Sequence, residues 1–143
     1  MSRVDSVDPV NIVSLTRALV DIDSTTGREG EAGRWLADYL RGRGCAVVEQ
    51  RVDDGRFNVI ATCPGTVATS GVAQPFRAAP TVVLSTHIDC VPPFFPSRVD
   101  GDRLYGRGSC DAKGIIAAQV AAADRLWRDR EPRTGLLFVV GAE

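Results

Sequence analysis

The sequence predicts an α/β fold in which a mixed, mainly parallel sheet is flanked by helices and contains a βαβ unit. Three stretches carry that expectation. Thr81-Val82-Val83-Leu84-Ser85 and Leu136-Leu137-Phe138-Val139-Val140 are short continuous apolar runs, the pattern of strands covered on both faces. Between them, residues 114–127 are rich in alanine and long apolar side chains and read as a helix. A strand, a helix and a parallel strand in that order form a crossover that is right-handed almost without exception.

The elements before this unit are read from caps and turns. Asp8-Pro9 offers a capping acid followed by proline at a first helical position, and Ile12, Leu15, Leu19 and Ile22 then recur at helical spacing to about Asp23. Ser24-Thr25-Thr26-Gly27 interrupts that pattern. Thr26 and Glu29 have the spacing of a capping box, and a second helix follows with the stripe Ala32, Trp35, Leu36, Tyr39 and Leu40. Gly42 and Gly44 end it. Residues 45–52 and 57–62 are short β-rich runs, and Asp53-Asp54-Gly55-Arg56 between them carries a hairpin signal. Residues 64–80 are dominated by Gly, Ala, Ser, Thr and Pro, and are expected to form a surface loop.

Composition narrows the function classes. The 143 residues leave room for one domain, and a chain 44% hydrophobic and 24% charged is neither disordered, collagen-like nor membrane-spanning. Seventeen basic against eighteen acidic residues leave no excess charge to hold a phosphate backbone, so no nucleic acid and no membrane are expected as partners. Cys45, Cys63, Cys90 and Cys110 match neither a zinc ribbon nor a disulfide scaffold, and no signal peptide opens the chain; a cytoplasmic location is the expectation. His87 is the only histidine and Lys113 the only lysine. Any chemistry that needs imidazole runs through His87.

The polar residues fall in one place. Ligands of open α/β sheets collect outside the carboxyl ends of the strands. His87 and Asp89 follow the first apolar strand, two positions apart and so on one side if the strand continues. Asp111 lies in the crossover before the helix, and Glu143 follows the second strand after Gly141-Ala142. One imidazole and three carboxylates on one rim suit a divalent cation such as zinc, with a carboxylate that is not a ligand serving as general base. Each residue alone has a simpler reading. His87 is then a hydrogen-bonded histidine, Asp111 a helix cap, Glu143 a solvated residue, Gly106-Arg107-Gly108 a flexible turn, and Cys90 and Cys110 small buried hydrophobes. The combination, in order, outweighs these.

Ser85-Thr86-His87-Ile88-Asp89-Cys90-Val91-Pro92, then Leu104-Tyr105-Gly106-Arg107-Gly108-Ser109-Cys110-Asp111-Ala112-Lys113-Gly114, then Val140-Gly141-Ala142-Glu143 resemble the motifs of a co-catalytic zinc metallohydrolase and peptidase family. It includes acetylornithine deacetylase, succinyl-diaminopimelate desuccinylase, aminoacylase and the glutamate-releasing carboxypeptidases such as carboxypeptidase G. Residues 22–31 also look like the family's N-terminal loop. The resemblance implies a zinc-exopeptidase-like catalytic domain that hydrolyses amide bonds through a metal-activated water. It implies that His87 and Asp111 ligate metal, Asp111 between two zinc ions and followed by a cis peptide. Asp89 would fix the His87 ring, and Glu143 would be the general base. Cobalt or manganese are the alternative ions, and the substrate would be a small N-acylated amino acid or peptide. For Val91-Pro92-Pro93-Phe94-Phe95-Pro96 two readings stay open: one wall of the cleft, or a rigid loop with no substrate contact.

The resemblance also sets a shortfall. Two ligands are too few for two ions, since catalytic zinc normally takes three protein ligands. Residues 1–143 are therefore expected to be the N-terminal portion of the catalytic domain, inactive alone. The remaining ligands, and the lid domain through which the parent would form a homodimer, would lie outside it. Residues 136–140 are then expected to form an uncovered apolar edge that favours association. The competing reading is a non-catalytic α/β remnant or interaction fragment without turnover. Other catalytic classes fail on spacing: Lys113 stands in no G-x-x-x-x-G-K-[ST] loop, Gly106 opens no G-x-G-x-x-G, and no G-x-S-x-G occurs.

Overall fold

The computed structural model describes residues 8–62, 80, 82–129 and 134–142. Within them the order is α1 (Ile12–Val20), α2 (Gly30–Gly42), β1 (Ala46–Asp53), β2 (Arg56–Thr62), β3 (Val82–His87), β4 (Arg98–Asp100), β5 (Arg103–Tyr105), α3 (Lys113–Arg128) and β6 (Thr134–Val139). Residues 64–79 of the expected surface loop lie outside the described residues.

The two early helices differ in how they begin. The Asn11 carboxamide oxygen accepts the Ser14 N–H at 2.9 Å, so α1 starts after Asn11 and not at Asp8-Pro9. The Asp8 carbonyl instead accepts from Arg43. No capping box forms at Thr26 and Glu29. The Glu29 carboxylate is taken by the Arg56 guanidinium and the Gly27 N–H, and α2 starts at Gly30 without a side-chain cap. Gly30 is required there: a Cβ would stand 2.3 Å from the Gly55 carbonyl oxygen. α2 buries Ala32, Gly33, Leu36, Ala37 and Leu40, while Trp35 stacks on Tyr39 at its margin. Arg43, past its C-terminus, reaches Asp124 of α3 at 2.7 Å and ties the two helices together.

The main sheet has the order β1-β2-β6-β3. β1 and β2 form the expected hairpin, β2 pairs antiparallel with β6, and β3 runs parallel to β6 through the α3 crossover. The sheet is mixed, with helices packed on it, as the sequence indicates. Antiparallel pairings outnumber the parallel one among the described residues because the hairpin docks on the far side of β6. β4 and β5 form a separate ribbon around Gly101, whose φ of 59° makes the turn.

That docking reverses the expectation about the edge. β6 lies between β2 and β3, and Leu136 and Phe138 are fully buried. Among the described residues the edges are β1 and β3, and on β3 Val82 and Val83 are 51% and 46% exposed. The core is formed where Leu15 and Leu19 of α1, Leu36 and Leu40 of α2, and Ile116, Val120 and Trp127 of α3 meet Val59, Ala61, Leu136 and Phe138 of the sheet.

Candidate metal centre

Two loops deliver the candidate residues. His87 is the last residue of β3, and the Ile88 N–H donates to Val139 of β6, so the strand pairing holds to the site itself. The next residues are stitched to the loop after α1. Ser24 Oγ donates to the Ile88 carbonyl at 2.8 Å, Cys90 N–H to Ser24 at 2.9 Å, and Thr26 N–H back to Cys90 at 3.1 Å. Asp111 ends the turn before α3 and is followed by a cis peptide to Ala112, as the resemblance implies. The turn is packed tightly: a Cβ on Gly108 (φ 85°) would meet Cys90 Sγ at 2.6 Å.

His87 and Asp111, 24 residues apart, meet. His87 Nε2 lies 3.0 Å from Asp111 Oδ1, with the histidine side chain 18% and the aspartate 69% exposed. Asp111 does not cap α3, since Ala112 holds that position without a side-chain bond. On the other ring nitrogen, Nδ1–H donates to the Asp89 carbonyl at 2.9 Å, and the fully buried Asp89 carboxylate is 3.4 Å away. A carbonyl can only accept, so Nδ1 carries a proton, and donation to Asp111 requires a second one on Nε2. Burial alone lowers the His87 pKa. The Asp89 carbonyl and the Asp111 carboxylate outweigh it and hold the ring above its ordinary value.

Asp89 also reaches the strand that leads to Glu143. Its Oδ1 accepts the Ala142 N–H at 3.2 Å, and Asn58 Oδ1 on β2 accepts the Val140 N–H at 3.1 Å. Glu143 itself lies outside the described residues. Cys90 is a buried thiol, as expected, but Cys110, expected to be buried, is exposed. Pro92 and Phe94 line a surface pocket of about 530 Å³ with Asp23, Thr25, Thr26 and Arg28.

Three supporting residues escaped the sequence reading. Lys113 is buried, and its ammonium donates to the Ile22 carbonyl at 2.6 Å, while burial pulls its pKa below the ordinary lysine value. Its rank as the only lysine was the available signal. Arg56 and Asn58 had none, since their partners lie 27 and 82 residues away along the chain.

The donor types suit a divalent cation: an imidazole nitrogen oriented by a hydrogen bond on its far side, and a carboxylate oxygen beside it. The number is short. Among the described residues no group of three His, Cys, Asp or Glu side chains is placed to hold a metal ion. Also among the described residues, no helix is long and apolar enough to cross a membrane.

Residues 83–143 match the sequence profile of Peptidase family M20/M25/M40. A probable carboxypeptidase of Aspergillus terreus is 43% identical over 97% of this chain, which covers 33% of that protein. An M20 family metallo-carboxypeptidase of Sulfolobus solfataricus has the same fold, with a TM-score of 0.69 and 18% identity over 91% of this chain and 30% of its own. A tripeptidase of Staphylococcus aureus superposes with a TM-score of 0.66 at 23% identity, over 92% of this chain and 36% of its own. The chain thus spans about a third of the length of the curated relatives it matches. With one profile covering both strand-end motifs and the crossover turn, and relatives aligned along nearly every residue, the chain belongs to the M20 peptidase family.

Proposed function

We propose that this chain contributes to the active site of a metal-dependent amide hydrolase that acts on small peptides or N-acylated amino acids. The observation that carries the reading is the 3.0 Å approach of His87 Nε2 to Asp111 Oδ1 at the carboxyl end of β3. His87 and Asp111 would hold the cation, and zinc fits this pair of donors best. Asp89 orients the imidazole through its own carbonyl and carboxylate. When bound, the ion lowers the pKa of water and polarises the amide carbonyl. Glu143 would take the proton from the attacking water and pass it to the leaving amine.

Two donors do not complete such a site. We place residues 1–143 as the first portion of a catalytic domain, with the other ligands and any dimerisation domain outside it, in keeping with relatives about three times as long. On that reading the chain alone does not turn over. The relatives' description as probable carboxypeptidases favours an exopeptidase over a deacylase.

The test is hydrolysis of dipeptides, tripeptides and N-acyl amino acids by the natural protein that carries this chain. Activity should vanish with chelator and return with zinc. Glu143→Ala should keep bound metal but lose most turnover. Activity indifferent to chelator, or metal lost with Glu143, would overturn the assignment of roles.

A further inference from the structure

The end of β6 is held from the side opposite His87 by a group of β2 residues that the metal site does not use. Arg56 opens β2, and its guanidinium grips the fully buried Glu29 carboxylate through Nε at 3.0 Å and Nη2 at 2.7 Å. Glu29 also accepts the Gly27 N–H at 3.0 Å, so the loop after α1 and the hairpin are locked together. From this anchor the guanidinium lies against Gly141: a Cβ there would stand 3.0 Å from Arg56 Nη2. Two residues along β2, Asn58 Oδ1 accepts the Val140 N–H at 3.1 Å. On the other side Asp89 Oδ1 accepts the Ala142 N–H. Three successive residues after β6 are thus fixed by three side chains from two other segments.

We propose that Arg56, set by Glu29, and Asn58 are positioning residues for the 140–142 backbone, and through it for the carboxylate that follows. The physical reason is economy of constraint. Among the described residues the strand pairing of β6 ends at Val139, and a chain leaving a strand through Gly141 (φ 75°) would otherwise be free to turn. Side-chain acceptors and a guanidinium wall replace the missing ladder bonds. A general base displaced by about 1 Å loses roughly 100-fold in rate, so fixing its preceding backbone is functionally significant. The link to catalysis rests on the reading of Glu143 as that base; the backbone restraint itself does not.

The experiment therefore has two arms on the full chain and on the natural protein carrying it. Amide exchange by NMR or mass spectrometry reads the 140–142 segment without any turnover. Asn58→Ala should speed exchange at Val140 by about fivefold or more, Asn58→Asp should restore protection by supplying an acceptor oxygen, and Arg56→Lys should speed exchange across 140–142. Unchanged exchange in Asn58→Ala and Arg56→Lys overturns the proposal. In the active protein, Asn58→Ala should lower kcat about 10- to 100-fold with KM and metal content unchanged, and Asn58→Asp should recover it. Faster exchange with unaltered kcat also overturns the positioning role. A wild-type protein without amidase activity would sink the proposed function while leaving the exchange arm to decide the restraint.

Discussion

His87 Nε2 and Asp111 Oδ1 stand 3.0 Å apart, joining the end of β3 to the turn before α3 at one point. A cation held by both side chains would take the place of this direct contact. Removing either donor should therefore reduce zinc affinity by more than about 100-fold in the natural protein, beyond the ~10–100-fold typical of losing a group behind a ligand. Asp89→Asn should fall inside that smaller range, because the ring keeps its stronger bond to the Asp89 carbonyl. Calorimetric titration with zinc checks all three. A loss at Asp89→Asn as deep as at His87→Ala would make Asp89 a direct ligand.

The glycine turn beside this pair should tolerate no side chain. Gly108→Ala would place a methyl 2.6 Å from Cys90 Sγ and 3.0 Å from Lys113 Cδ, in a left-handed conformation. Overpacking and the αL penalty together suggest a loss of about 2–4 kcal/mol. Gly42→Ala is the control. It ends α2 with nothing within 4 Å of the added Cβ, and should be neutral or stabilise by up to ~1 kcal/mol. Urea unfolding of the two variants measures the contrast, and equal midpoints would refute it.

Two buried ion pairs set the acid limb of stability. Burial raises the pKa of Glu29, but Arg56 and the Gly27 N–H outweigh it, leaving the carboxyl below its ordinary value. Burial acts on Asp124 in the same way and is outweighed by Arg43 and Arg128. A depressed folded pKa means that the unfolded chain binds more protons as the pH falls. The stabilisation is complete above the unfolded carboxylate values of about 4 and is lost progressively as pH drops through the folded ones. Thermal midpoints should therefore fall steeply below about pH 4. Asp124→Asn should flatten that fall while costing about 3 kcal/mol near neutrality, since the buried Arg43 guanidinium loses the carboxylate it holds at 2.7 Å. A melting curve that stays pH-independent down to pH 3 would exclude this account.

The βαβ unit was legible because both its strands are continuous apolar runs and its helix has a clean buried stripe, Ile116, Ala117, Val120, Ala123 and Trp127. The hairpin was legible from Asp54-Gly55, where Gly55 has a φ of 68°. The meeting of His87 with Asp111 followed from their positions at the strand end and in the crossover. Which strand would form the exposed edge was not legible. Apolar runs do not report neighbours, and the β2–β6 pairing joins residues far apart in sequence, such as Val59 and Phe138. The α2 cap misled for a similar reason. Glu29 has the right local spacing for a box, but an ion pair with Arg56 on β2 competes for its carboxylate and wins. Long-range polar partners of this kind leave no periodic trace.

The exposed β3 edge should govern association. Val82 and Val83 present apolar surface on a strand that pairs on one side alone among the described residues, and Gln119 donates to the Ser85 carbonyl at 3.0 Å. An open apolar edge of this kind is a template for strand addition by a second chain. Sedimentation of the 143-residue chain should show concentration-dependent association, and Val83→Lys should shift it towards monomer by setting a charge on the edge. Because Val83 is already half exposed, the substitution should alter unfolding free energy by less than about 0.5 kcal/mol. The same substitution on the buried Leu136 of β6 should instead abolish folding, as a lysine there would bury an unpaired charge. Association that persists unchanged in Val83→Lys would move the sticky surface elsewhere, with the exposed Phe94 and Phe95 the next to substitute.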